Sequence, residues 1–320
     1  MLKRLALAVS LALAAAQPVA AQPFHFVALG DMPYTLPGDY AKFDRLIAAI
    51  NATQPAFSVH VGDIKSGGTQ CSDEIFQKVL DQFATFEQPL LYTPGDNEWT
   101  DCHRRNNGAM NPLERLARLR TMFFPDPTAS LGKTKLAVES QSRSMADRFA
   151  TFVENQRWSH NGVMFATAHV VGSNNNFEPR PGAADEFMAR NAANIAWIDD
   201  TFARARAAGS KAVVLSWQAQ TLDVTTPYGV IPLASGFIDT LEAVARGAKD
   251  FPGPVLVIHG DEHEFQIGVL KDAKLKPIPN VVRLEVFGAA HVQAVKVLVD
   301  PDSPGVFGFV PLMVRENGRY

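Results

Sequence analysis

Histidine is scarce in this chain, with 8 among 320 residues, and cysteine scarcer still, with 2. No C-x-x-C, H-E-x-x-H or G-x-S-x-G motif occurs, which removes a dithiol redox site, a helical zinc-protease site and a hydrolase nucleophile elbow. Gly132-Lys133-Thr134 has Pro127 where a phosphate-binding loop needs its first glycine, so it is no nucleotide site. Basic charge is not in excess: 30 Lys and Arg stand against 33 Asp and Glu, a net charge of −3 that argues against a polyanion-binding surface and against nucleic acid as a partner. No linker or internal repeat divides the chain. Beyond the N-terminus no apolar run is long enough to cross a bilayer.

The first residues read as a secretory signal at 1–21. Lys3 and Arg4 precede an apolar stretch at 5–16, and Val19-Ala20-Ala21 forms a small-residue cleavage site before Gln22. Its removal leaves 28 basic against 33 acidic side chains, or −5. The expectation is an exported protein, periplasmic or secreted, with residues 22–320 as one domain. A hydrophobic content of 47% over such a length can bury a large core. In an exported chain two cysteines are most simply a disulfide, here Cys71 to Cys102, which loop-closure entropy values at roughly 3–4 kcal/mol. The alternative is two unpaired thiols.

What the sequence does have is a set of Gly-Asp turns. Gly30-Asp31, Gly62-Asp63 and Gly95-Asp96 each follow an apolar run that reads as a buried strand, at 24–29, 56–61 and 90–93; Gly260-Asp261-Glu262-His263 follows another at 254–258. A helix is expected at 40–51, with Phe43, Leu46, Ile47 and Ile50 on one face. A second starts at the N-cap Ser72 and buries Ile75, Val79, Leu80 and Phe83. Strand, Gly-Asp, helix, strand implies parallel strands, so the aspartates share one sheet edge, where open α/β sheets bind ligands. Converging carboxylates call for a cation. Downstream, Asn111-Pro112-Leu113-Glu114 opens a helix. Strands follow at 163–171 and 212–215, with helices at 189–208 and 237–248. The tail strands at 281–287, 292–299 and 306–310 lack intervening helices, which suits a second, largely antiparallel sheet.

The order of these motifs resembles the calcineurin-like metallophosphoesterase superfamily, with its D-x-H, G-D, G-N-H-(E/D), lone His and G-H-x-H. The resemblance spans nearly all of the mature chain. It implies an α/β fold, a two-sheet mixed β sandwich flanked by helices in four layers, and two metal ions that activate water against a phosphoester. Asp31, Asp63 and His263 match the family's ligands. Pro33 stands where D-x-H has histidine, and Asp261 replaces the first histidine of G-H-x-H. Aligned without gaps, Asp96 takes the metal-binding Asn position and Asn97 that of the histidine assigned to leaving-group protonation; shifted by one, Asn97 is the ligand and Glu98 takes the acid position. Trp217 or Gln218 falls at the lone histidine. A metal set of Asp31, Asp63, Asp96, Asp261 and His263 would bind one or two divalent ions, harder ones such as Mn²⁺, Mg²⁺ or Ca²⁺ ahead of Fe or Zn.

A substitute proton donor could be His103, with Arg104 or Arg105 to hold phosphate; the other reading of that stretch is a solvated basic turn. Tyr34 could ligate a metal or contact substrate, or pack beneath its loop, and Gln218 could contact substrate. His259 could ligate or point into the core, while Asn174, Asn175 and Asn176 could contact substrate but read more simply as turn residues. His169 and His291 read as structural. Two functions stay open: an exported metal-dependent phosphoesterase acting on a small phosphorylated substrate, and a noncatalytic relative that binds a metal, a phosphorylated ligand or a protein.

Overall fold

The computed structural model describes residues 22–222, 225–228 and 231–318; of the side chains at 225–228 and 231–233 nothing is described. The expected signal at 1–21 lies outside the described residues. The strands are β1 Phe24–Leu29, β2 Ser58–His60, β3 Leu90–Tyr92, β4 Glu139–Ser140, β5 Gln156–His160, β6 Val163–Thr167, β7 Ala212–Ser216, β8 Thr225–Tyr228, β9 Ile231–Ala234, β10 Val255–His259, β11 Gln266–Lys271, β12 Pro277–Glu285, β13 Ala294–Val299 and β14 Phe307–Leu312. The helices are α1 Gly38–Thr53, α2 Asp73–Phe83, α3 Pro112–Phe123, the short turns α4 Gln141–Ser144 and α5 Gly172–Asn175, then α6 Ala183–Ala207 and α7 Ile238–Lys249.

Two sheets carry the structure, in the orders β14-β13-β1-β2-β3 and β11-β12-β10-β7-β6-β5-β4. In the first, β1, β2 and β3 run parallel; in the second, β6, β7, β10 and β12 do. The sheets face each other across an apolar layer in which Phe26, Val59 and Val297 meet Phe165, Val214 and Leu256. On the outer side of the first sheet, Phe43, Phe76 and Leu116 of α1, α2 and α3 pack with Val27 and Leu90. On the outer side of the second, Ile198 and Phe202 of α6 and Leu241 of α7 pack with Val213 and Val257. The layers are therefore helix, sheet, sheet, helix, as expected. Strand β1 shows why such strands read as continuous apolar runs: Phe26 and Ala28 face the partner sheet while Val27 and Leu29 face the helices, so both faces are buried.

Local signals set most boundaries. Ser72 Oγ accepts from Ile75 N, and Asn111 Oδ1 accepts from the amides of Leu113 and Glu114 with Pro112 in the first turn. The stripe of α2 differs from expectation by a slight rotation: Phe76, Val79, Gln82 and Phe83 are buried, whereas Ile75 and Leu80 are half-buried. Helix α6 begins at Ala183, six residues before the expected start, because Asp185 and Glu186 suit its first turn and Glu186 pairs with Arg190 one turn on. The tail does not build a sheet of its own. Strand β12 pairs parallel with β10 in the second sheet, while β13 pairs antiparallel with β1 in the first. Each closes an open edge of an existing sheet, so the tail is shared between the two.

Candidate metal centre

Six loops converge at the carboxyl ends of β1, β2, β3, β6, β7 and β10. Asp31 and Asp63 follow β1 and β2 with φ of 55° and 56°, and Asp261 and His263 follow β10 with φ of 89° and 65°. Residues with a Cβ avoid this left-handed region, at a cost of order 1–3 kcal/mol each, and persist there only when the surroundings over-determine them. The glycines explain the surroundings. A Cβ on Gly260 would collide with Asp31 Oδ2, and one on Gly95 with Asp63 Oδ1. In these two turns the glycine makes room for the aspartate of a neighbouring turn, while Gly62, at φ of 100°, makes room for the backbone of Pro94 and Gly95.

The donors fall into two overlapping groups. One atom each from Asp31, Asp63 and His263 lie within 4.8 Å of one another, and so do one each from Asp63, Asp96 and Asp261. Asp63 belongs to both. Its Oδ2 accepts from Tyr34 Oη at 2.8 Å, Asn97 Nδ2 at 2.6 Å and Gln218 Nε2 at 3.3 Å. Asp31 accepts from the amide of Asp261 at 3.1 Å, and Asp261 from Gln218 Nε2 at 2.9 Å and the Gln220 amide at 2.8 Å. Asp96 Oδ2 accepts from Ser173 Oγ at 2.7 Å. Tyr34 Oη also lies 3.3 Å from His263 Nε2.

This arrangement is costly without a cation. Burial, and then the charge of Asp261, holds the Asp31 carboxyl well above the usual range; burial, and then Asp96, does the same for Asp63. Asp261 is pushed up to about 7, by burial first and by Asp96 second. Burial also lowers His263 and raises the Tyr34 phenol, so imidazole and phenol are neutral donors beside the acids. Lys65 is fully buried nearby; burial lowers it to about 8 while Glu98 and Asp63 oppose the shift. Two divalent ions fit the donor set: hard oxygen atoms around one position, oxygen plus one imidazole around the other, and like charges that a cation would reconcile.

The other candidate residues take the following places. Asp96 joins the carboxylate donors, and Asn97 bridges Asp63 and Tyr34. Glu98 is no exposed acid: it is fully buried, and its Oε1 accepts from the amides of Asp63 and Gly95 and from Tyr92 Oη, tying two site loops together. Gln218 faces the centre, while Trp217 lies in the core with its indole bonded to the Ala219 carbonyl. His259 is buried, bonded to the Gly260 carbonyl and to Arg283. His169 is buried against Glu154, and His291 is exposed. His103 is exposed and bonds the Thr100 carbonyl, with no contact to the carboxylates. Arg104 pairs with buried Asp101 at 2.6 Å, its own side chain 44% exposed, and it passes near Gly67 and Asn97 at the rim. Cys71 and Cys102 form the disulfide, and both sulfurs lie against the Asn97 carbonyl.

Ser173, Asp101 and Lys65 are site residues that pattern reading missed. Only Lys65, two residues past Asp63, has a local signal.

The model of the family described as calcineurin-like phosphoesterase matches residues 24–265. No curated protein matches the sequence. Among solved structures, a dimetal phosphatase from Danio rerio superposes over 91% of this chain and 99% of its own, with a TM-score of 0.55 at 11% identity. PhoD matches over 92% of this chain and 70% of its own, with a TM-score of 0.56 at 11% identity. A purple acid phosphatase from yellow lupin (Lupinus luteus) seeds matches over 94% of this chain and 56% of its own, with a TM-score of 0.51 at 11% identity. At these identities the likeness is one of fold. The family match runs from β1 to just past His263 and takes in every donor of the centre, so the chain belongs to the calcineurin-like phosphoesterase family.

Proposed function

We propose that residues 22–320 form one exported, metal-dependent phosphoester hydrolase, acting on a small phosphomonoester or phosphodiester in the periplasm or outside the cell. The observation that carries this reading is the pair of donor groups sharing Asp63. Asp31, Asp63 and His263 would hold one ion, and Asp63, Asp96 and Asp261 the other, with Mn²⁺, Mg²⁺ or Ca²⁺ suited to the all-carboxylate position. Bound there, divalent ions supply Lewis acidity toward a phosphoryl oxygen and lower the pKa of water. The protein's own groups do the rest. Asn97 Nδ2 and Tyr34 Oη hold Asp63 in the shared position. The partly exposed Arg104 guanidinium, braced by Asp101, is placed to take a phosphate oxygen at the rim.

Asn97 cannot deliver a proton, and His103 is exposed with its Nδ1 bonded to the Thr100 carbonyl. Turnover would therefore favour esters whose leaving group needs no proton. The same observation supports the second reading, a relative that binds a phosphorylated ligand without cleaving it. Elemental analysis of the mature protein, with assays on phosphomonoesters and phosphodiesters in added Mn²⁺, Mg²⁺, Ca²⁺ or Zn²⁺, separates the two. Bound metal with turnover supports the hydrolase; bound metal without turnover on any ester supports the binding protein.

A further inference from the structure

Each carboxylate of the centre is oriented by a donor from a neighbouring loop, and for Asp96 that donor comes from far along the chain. Ser173 Oγ lies 2.7 Å from Asp96 Oδ2 and 2.8 Å from Asp101 Oδ1. Among the described residues no other hydrogen bond reaches the Asp96 carboxylate. The hydroxyl has one proton, so it serves one of the two acids at a time.

The backbone that delivers Ser173 is unusual. Ser173, Asn174, Asn175 and Asn176 have φ of 49°, 52°, 55° and 60°, a full left-handed turn at the end of the loop after β6. Residues with a Cβ visit this region singly, asparagine most readily, and rarely in succession. Buried Arg190 holds the turn through the Asn175 carbonyl at 2.9 Å and the Asn175 side chain, and stacks its guanidinium 5.3 Å from the Trp99 ring. Asn174 Oδ1 accepts from the Gly236 amide at 2.7 Å, and Asn175 Nδ2 donates to the Gly236 carbonyl at 3.0 Å. Gly172 brings the turn against the acids: a Cβ there would lie 2.7 Å from Asp96 Oδ2 and 2.9 Å from Asp261 Oδ1. None of the bonds that hold the turn uses the Ser173 hydroxyl.

We propose that Ser173 is the positioning residue for Asp96: the left-handed turn delivers its hydroxyl to the carboxylate that completes the Asp63, Asp96, Asp261 group, and that contact sets the group's affinity for a divalent cation. The proposal rests on the reading of the centre as a two-cation site. A hydrogen bond that orients a ligand carboxylate is worth about 10–100-fold in metal affinity. Strain and function therefore oppose each other at this residue, because the conformation that serves Asp96 is one serine disfavours.

The test is a Mn²⁺ titration of the metal-stripped mature protein, followed by the electron paramagnetic resonance of free Mn²⁺, with melting temperatures in chelator, for the parent, Ser173→Ala and Ser173→Gly. The expected result is that both variants lose about 10–100-fold in one Mn²⁺ affinity and keep the other within about threefold. Ser173→Gly should also melt above the parent without metal, since glycine accepts positive φ freely. Affinity and stability then move in opposite directions, which a serine of purely structural importance would not cause. Unchanged Mn²⁺ affinities in both variants overturn the proposal while leaving the two-cation reading intact. A fall of both affinities together with the melting temperature also overturns it. A parent protein that binds no Mn²⁺ removes the cation reading and this proposal together.

Discussion

Gly260 seats Asp31. The α-carbon of the first lies so close to Oδ2 of the second that a methyl group between them would collide, although 230 residues separate Asp31 from Asp261, the next residue in the turn. Strands β1 and β10 belong to different sheets, so this contact joins the two halves of the sandwich at the centre.

Replacing Gly260 with alanine should therefore damage the site before the fold. The clash is with a buried carboxylate, and overpacking of this kind costs about 1–3 kcal/mol. The expected outcome is a lower denaturation midpoint together with loss of bound metal, read by urea unfolding and elemental analysis on the same sample. Unchanged metal content would show that Asp31 can move without consequence.

Acid should stabilise the metal-free protein. The Asp261 carboxyl rises from its ordinary 3.8 to about 7, so the folded chain binds this proton more tightly than the unfolded chain. A raised value contributes stability that is fully present below the ordinary value and lost as pH rises through about 7. Melting temperatures in chelator should then fall between pH 5 and pH 8, more steeply for the parent than for Asp261→Asn, and added Mn²⁺ should restore stability at the upper end. Equal slopes for the two proteins would count against the carboxylate account.

Much of this was legible beforehand, and the reasons are physical. Strands buried on both faces read as apolar runs, and the Gly-Asp pairs were visible because close packing of the turns leaves no room for a Cβ at Gly62, Gly95 or Gly260. Ser173 was not legible: it lies 77 residues from Asp96, and the two meet because the facing sheets carry β3 and β6 to the same end of the sandwich. Asp101 escaped for a related reason, since burial rather than spacing gives it its importance. The sharing of the tail between sheets depends on which edge stood open, which periodicity does not encode.

The disulfide should stabilise loops as well as the fold. Cys71 and Cys102 are 31 residues apart and press on the Asn97 carbonyl. A double Cys→Ser variant should lose roughly 3 kcal/mol in denaturant unfolding under oxidising conditions. Its metal affinity should fall too, because Asn97 holds Asp63. Full metal affinity in a destabilised variant would separate the bridge from the centre.

Turnover should depend steeply on the leaving group. With Asn97 unable to protonate and the exposed His103 bonded to the Thr100 carbonyl, nitrophenyl esters should be cleaved at least about 100-fold faster than alkyl phosphates, the usual worth of a placed acid. A flat dependence across a series of aryl and alkyl esters would reveal a proton donor other than Asn97 and His103.

The central claim is that Asp63 is shared between two cation positions, and counting metal ions in the parent and in Asp63→Asn tests it most directly. Elemental analysis and Mn²⁺ titration of residues 22–320 should find two ions per parent chain, and binding at both positions should weaken at least about 10-fold in the variant, since each loses the same carboxylate. An Asp63→Asn protein that keeps either ion at parental affinity would contradict the account.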